Sequence, residues 1–267
     1  RWYSRESARA ITAWSRHYVQ EINQKAEAIG FKPIYSDTDS NFLVVPKEKT
    51  QKDVLEFVKK INGELPGSME LEFEGYYRRG IFVTKKEGGA AKKRYALMDF
   101  EGNLTIVGFE YVRRDWANIA KSTQKEVLQA LLKEGNVKEA IEIVRKKIKD
   151  LKEGKVPKKE LVILTQLKKP IAKYELIGPH IAAAKKAMDR GKEIDVGSTL
   201  AFIITKNGKS ISDRAELEEF VKEGNYDADY YIEHQVVPAV IKIISEFGVE
   251  KDDLLHGGKQ HSLSSFM

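Results

Sequence analysis

Pro33-Ile34-Tyr35-Ser36-Asp37-Thr38-Asp39-Ser40-Asn41-Phe42-Leu43-Val44-Val45 sets two short β-type runs, Pro33 to Tyr35 and Phe42 to Val45, around a polar centre. Apolar runs flanking a turn-forming stretch describe a β-hairpin, here with two acids at its tip. Carboxylates at alternate positions of a strand would point to one face, where their like charges repel. A divalent cation neutralises such a pair. In two-metal phosphoryl transfer, ions about 3.5 to 4 Å apart stabilise the attacking and leaving oxygens, and a bridging carboxylate suits them. Asp, Ser and Thr also favour ordinary polar turns, so a bare Asp-x-Asp fits either reading.

Upstream of the hairpin, Ala8, Ile11, Trp14, Tyr18, Ile22, Ala26 and Ile29 recur every three to four positions and Gly30 follows, which predicts an amphipathic helix from Ser7 to Ile29. Downstream, Gln51 to Ile61 is again helical in period and closes at Asn62-Gly63. Strands are expected at Met69 to Phe73, Gly80 to Thr84, Tyr95 to Phe100 and Thr105 to Phe109, linked by glycine-bearing turns. After Arg113 the pattern turns helical, at Ile119 to Leu132, Val137 to Leu151, Gly178 to Arg190 and Asp229 to Phe247, with a strand pair around Thr199 to Thr205. The order predicts an α+β fold: an antiparallel sheet with helices over residues 1–112, a mainly helical domain over 113–255, and a tail over 256–267.

The composition narrows the partners. With no cysteine among 267 residues, disulfides and thiolate metal sites are excluded, and with 5 His a metal would sit mainly on carboxylates, as Mg²⁺ prefers. A net charge of +6 and a pI near 9.1 favour a polyanion, although solvated lysines on a thermostable surface give the same totals. No apolar run approaches the roughly 20 residues of a membrane helix. Nothing near Arg1 reads as a secretory signal, so an intracellular protein is expected. Arg1-Trp2-Tyr3 lead directly into a helix, which is expected of a piece of something longer.

A second signal is Lys92-Lys93-Arg94-Tyr95 before a strand. Three cations and a ring hold phosphates and sugar edges without reading sequence, though a solvated charged turn has the same composition. Lys85-Lys86 precede it, and the later pair is preferred because Tyr95 follows. At the far end, Gln260, Leu263, Phe266 and Met267 are spaced so that a short 3₁₀ turn would bring the three apolar side chains to one side.

Tyr35-Ser36-Asp37-Thr38-Asp39-Ser40 resembles motif C of the family B DNA polymerases, usually Tyr-Gly-Asp-Thr-Asp-Ser, with Ser36 in the glycine's place. The resemblance implies that Asp39 is a ligand shared by two catalytic Mg²⁺ ions, that Asp37 is a supporting acid near the primer terminus, and that Tyr35, Thr38 and Ser40 shape the tip. Lys92-Lys93-Arg94-Tyr95 is similar to the family's Lys-Lys-Arg-Tyr element, which implies a grip on duplex DNA, joined by Arg113 and Arg114 where Arg113-Arg114-Asp115-Trp116 looks like the entry into the thumb. Arg78 to Thr84, Gly178-Pro179-His180-Ile181 and Tyr226 to Ile232 with Gln235 and Pro238 also resemble archaeal members, so the likeness runs over essentially the whole chain. It implies the second half of a palm over 1–112 and a thumb over 113–255. His180 and the Tyr230-Tyr231 pair are expected to be structural.

The tail resembles the PIP box by which replication proteins bind the PCNA sliding clamp, with Met267 where a second aromatic is usual, which implies weaker clamp affinity. The family's Asp-x-x-Ser-Leu-Tyr-Pro-Ser element and its lysine-bearing fingers helix do not occur in this sequence. Half a ligand set binds Mg²⁺ poorly, so negligible synthesis is expected from the chain alone. Joined to an N-terminal polymerase chain or segment, it is expected to extend a primer-template duplex with dNTPs, as a cytoplasmic, nucleoid-associated enzyme. The rival readings are a non-catalytic duplex- and clamp-binding module, which would not need both aspartates, and a basic RNA-binding α+β protein.

Overall fold

The computed structural model describes residues 3–84 and 90–256, with the backbone alone at 84, 90–92 and 256. Two compact units emerge. The first draws its described residues from Arg1–Arg78, Thr84–Lys93 and Asp99–Glu101, and the second from Arg79–Val83, Arg94–Met98 and Gly102–Met267. The chain passes between them within two strands and again at Glu101–Gly102, and Arg113, where sequence patterning places the boundary, lies inside the second unit.

In the first unit, α1 (Arg5–Ala28) begins at Ser4, whose hydroxyl accepts from the Ser7 N–H at 3.2 Å. Its apolar stripe is buried only late: Ile22 and Ala26 enter the core, while Ile11 and Trp14 are exposed. The hairpin follows as β1 (Lys32–Ser36) and β2 (Asn41–Val44), antiparallel, with a bulge between Pro33 and Tyr35. Proline gives the ladder no N–H, and a bulge beside it is a usual accommodation. Helix α2 (Gln51–Glu64) starts at Thr50, whose N–H and hydroxyl both donate to Asp53 Oδ2 at 2.7 Å. Ile22, Ala26, Phe31, Phe57 and Ile61 form the core, with Leu43, Val45, Val54, Leu65 and Leu71 packed against it.

The expected strand at Met69 to Phe73 does not form. A side chain takes the place of a neighbouring strand there: Asn62 Nδ2 donates to the Leu71 carbonyl at 3.0 Å and the Leu71 N–H donates to Asn62 Oδ1 at 2.7 Å. With its backbone already satisfied, Leu71 needs no ladder.

Strands β3 (Tyr77–Thr84), β4 (Ala90–Asp99) and β5 (Leu104–Val107) form a sheet in that order, with β4 and β5 antiparallel from Tyr95↔Val107 to Met98↔Leu104. The second unit continues with α3 (Asn118–Glu134) and α4 (Val137–Lys152), joined at Gly135, whose φ of 71° closes α3 in the left-handed conformation glycine tolerates. Asn136 then caps α4 by accepting from the Glu139 N–H at 3.1 Å.

Next come β6 (Ile163–Gln166), α5 (Pro179–Asp189), β7 (Thr199–Ile204), α6 (Ile211–Arg214) and β8 (Ala215–Leu217). Where a strand pair is expected around Thr199 to Thr205 there is one strand, β7, with β6 and β8 antiparallel on its two sides. A hairpin needs two strands and a turn, more residues than that window holds. Finally α7 (Ala228–Tyr231) leads through a π-helical turn (Ile232–Val236) into α8 (Val237–Ile244), then a 3₁₀ turn (Ser245–Phe247) and α9 (Lys251–His256). Pro238 has no N–H to offer the carbonyl four residues back, so an unbroken α-helix from Asp229 to Phe247 is disfavoured. The mixture of helices and antiparallel sheets is α+β, as the sequence indicates. Among the described residues no helix is long and apolar enough to cross a membrane.

Candidate metal and DNA-binding site

The β1–β2 ladder ends at Ser36↔Asn41, which leaves Asp37, Thr38, Asp39 and Ser40 as the turn. The Asp37 N–H donates to the Ser40 carbonyl at 3.0 Å and closes it. Both acids therefore sit in the tip itself, where the alternation of a strand does not set their directions. Asp37 Oδ1 accepts from the Thr38 N–H at 2.9 Å, which fixes that carboxylate against its own turn. Its side chain is 13% exposed, whereas Asp39 is open to solvent. Behind the tip, Asn23 Nδ2 donates to Ser36 Oγ at 3.1 Å, tying the hairpin to α1.

Tyr35 is buried, its ring 5.6 Å from that of Phe42 across the ladder. Its hydroxyl accepts from the backbone N–H of Lys93 at 2.8 Å. Lys93 is the one non-glycine residue with positive φ among the described residues, at 56°. L-residues other than Asn and Asp seldom take that conformation. Lys93 Nζ lies 3.8 Å from Asp37 Oδ2 with 70% of its side chain exposed. The first unit thus gathers Tyr35, Asp37 and Lys93, three residues from the two separate motifs.

Arg94 and Tyr95 of the basic motif belong to the second unit. Arg94 Nη2 donates to both oxygens of Glu110 at 2.8 Å, and Tyr95 stacks on Phe82 with ring centres 5.5 Å apart. Of Lys92 only the backbone is described, within β4. Arg113 donates through Nε and Nη2 to the two oxygens of Asp115, at 3.1 and 2.7 Å, while Arg114 is exposed. The same pair holds the Asp115 carboxyl below its usual range, chiefly through the Arg113 hydrogen bond. Gln260, Leu263, Phe266 and Met267 lie outside the described residues.

His180, at the start of α5, packs edge-on against Tyr174, and burial lowers its pKa. Tyr231 is fully buried, its hydroxyl donating to the Leu161 carbonyl at 2.8 Å and accepting from the Ile204 N–H at 3.1 Å. Neither arrangement adds a reactive group. Motif reading overlooked Glu110 and Gln124, both buried. Each had a sequence signal: an acid inside the apolar run Phe109-Glu110-Tyr111-Val112, and a glutamine in the apolar stripe Ala120, Thr123, Gln124, Val127, Leu128.

As a donor set for Mg²⁺, the tip offers hard carboxylate oxygens, which fit. Among the described residues no three His, Asp or Glu side chains gather as metal ligands.

Comparison with known proteins adds a family. A model described as DNA polymerase family B matches residues 3–247. A DNA polymerase of Methanocaldococcus jannaschii is 47% identical over 270 residues, covering 100% of this chain and 16% of its own. One from Pyrococcus glycovorans is 45% identical over 95% of this chain and 33% of its own. The solved family B DNA polymerase from Pyrobaculum calidifontis matches with a TM-score of 0.71 and 32% identity, over 94% of this chain and 31% of that one. This chain therefore spans a third or less of the length of these relatives.

Proposed function

The chain belongs to DNA polymerase family B, and from that we propose that it supplies one part of a template-directed polymerase active site, completed by an N-terminal polymerase chain or segment. Residues 1–112 act as the second half of the palm, 113–255 as the thumb, and 256–267 carry the clamp-binding motif. The observation that carries the reading is the tip itself, where Asp37 and Asp39 share one turn and Lys93 lies beside Asp37.

Bound Mg²⁺ would stabilise charge on the attacking and leaving oxygens as the primer 3′ hydroxyl attacks the α-phosphate of a dNTP and pyrophosphate departs. Asp39, exposed and free of the turn's hydrogen bonds to Asp37, is the residue that would face the ions, and Asp37 would support it from its fixed place. Tyr35 holds the Lys93 backbone through its hydroxyl, so that the Lys93 ammonium stands near Asp37 and is reachable by a primer phosphate. Lys92, Tyr95 and Arg114 extend the grip on the duplex. Such contacts position the duplex without reading its sequence, as a polymerase requires. Gln260, Leu263, Phe266 and Met267 would seat on the PCNA clamp.

The test is primer extension with Mg²⁺ and dNTPs by the chain alone and mixed with the N-terminal part of an archaeal family B polymerase. Synthesis only in the mixture is expected. Duplex binding with no synthesis in either case would favour a non-catalytic DNA-binding module.

A further inference from the structure

We propose that Arg94 is a positioning residue of the duplex-binding element and not one of its phosphate contacts. The functional consequence rests on the DNA-binding reading above; the geometry stands without it. Arg94 is enclosed on several sides. One nitrogen forks between the two oxygens of Glu110, the guanidinium lies 5.3 Å from the Phe109 ring centre, and Nε is buried with no hydrogen-bond partner among the described residues. Its side chain is 21% exposed, against 70% for the neighbouring Lys93.

Glu110 is the reason this charge is held inside. The residue is 5% exposed, and a carboxylate so deep keeps its charge only with a cation and hydrogen-bond donors beside it. Arg94 is the cation. The second donor is Gln124, fully buried, whose Nε2 donates to Glu110 Oε2 at 2.9 Å and also to the Ala239 carbonyl, while its Oε1 accepts from the Tyr111 N–H at 2.8 Å. A continuous polar chain thus runs from β4 through the 110–112 turn and α3 to α8. Turning Arg94 outward to a phosphate would strand Glu110 in the core, whereas Lys93 and Arg114 can meet DNA at no such cost. What the strut fixes is the β4 backbone where Tyr95 follows, paired with Val107 and stacked on Phe82.

The two roles differ in how affinity responds to salt and to conservative exchange. A fluorescent primer-template duplex is titrated with the full chain and with Arg94→Met, Arg94→Lys and Glu110→Gln, between roughly 50 and 200 mM salt. Arg94→Met is expected to weaken binding about tenfold, the equivalent of one positioned contact, with the slope of log K against log salt unchanged. Arg94→Lys should fail to restore affinity, because a compact ammonium is more strongly hydrated than a guanidinium and loses more on entering this largely buried site, whereas at an exposed phosphate it would serve well enough. Glu110→Gln should weaken binding although it removes a negative charge. The proposal is overturned if Arg94→Met lowers the magnitude of the slope by about 0.9, if Arg94→Lys restores binding, or if Glu110→Gln binds as well as the parent or better. Thermal unfolding of the same variants and of the Arg94→Met/Glu110→Gln double variant is measured alongside. Non-additive effects on Tm are expected, and additive ones would overturn the pairing whether or not DNA binds. A parent chain that binds no duplex would instead overturn the DNA-binding reading, leaving the unfolding cycle to decide the strut.

Discussion

At the scale of single residues, the tip gives two acids that look alike in the sequence different surroundings. Asp37 is held by the Thr38 N–H and lies near Lys93, whereas Asp39 is exposed. Asp39→Ala is therefore expected to abolish primer extension in the reconstituted enzyme while duplex affinity, measured by anisotropy, stays near that of the parent. Survival of extension would show that Asp39 is not the metal-facing acid. Lys93 poses a different trade-off, since a left-handed backbone costs an ordinary residue about 1 kcal/mol that glycine does not incur. Lys93→Gly should leave denaturant stability unchanged or raise it by less than about 1 kcal/mol, because glycine's unfolded-state freedom offsets the relief. The same variant should bind duplex more weakly at low salt, so a loss of both stability and affinity would point to a packing role for the lysine. The motif residues themselves were legible in the sequence. The Tyr35 to Lys93 hydrogen bond was not, because it joins residues 58 apart.

Elements tell the same story at longer range. The helices around α3 and α4 follow from a 3.6-residue period and a Gly135-Asn136 junction that stops one helix and caps the next. The end of the chain's second unit is less local. The π turn at Ile232–Val236 carries Gln235, whose Oε1 accepts from the buried Ala117 N–H at 2.9 Å. Gln235→Ala would orphan that donor and is expected to cost about 1–3 kcal/mol in urea unfolding, whereas a cost near zero would mean water replaces the amide. In β3, a Cβ on Gly80 would meet Leu97 Cδ2 at 2.9 Å and Phe82 Cε2 at 3.1 Å. Gly80→Ala should therefore destabilise by about 1–3 kcal/mol through overpacking, and a neutral result would show that Leu97 moves aside freely. The missing strand at Met69 to Phe73 has the same lesson in reverse: strand-like composition gives a strand only where a neighbouring strand supplies partners.

Over the whole molecule, two cores of unequal size should differ in local stability. The first unit's core is built on Ile22, Ala26, Phe31, Phe57 and Ile61, while the second draws on α3, α4, α5, α7, α8 and two sheets. Hydrogen exchange is expected to be faster through α1 and α2 than through α3 and α8, and uniform protection would indicate one cooperative unit. Acid should act on several carboxyls at once, because Asp53, Asp115 and Asp213 all have pKa values lowered by hydrogen bonds, from Thr50, Arg113 and Ser210 respectively. A carboxyl depressed in the folded state contributes stability above its unfolded pKa and loses it as pH falls through the folded one. Tm should accordingly hold between neutral pH and about pH 4 and drop below it. A Tm that rises on acidification would contradict that sign. The sequence by itself determined the α+β class, most element positions, the acidic hairpin and the basic motif, since periodicity, turn chemistry and short motifs are properties of neighbours along the chain. Only the tertiary structure decided that the basic motif is divided between two units, that Arg94 belongs to Glu110 and Gln124, and which strands flank β7. A buried polar group takes whatever partner packing brings within about 3 Å, and sequence separation has no part in that choice.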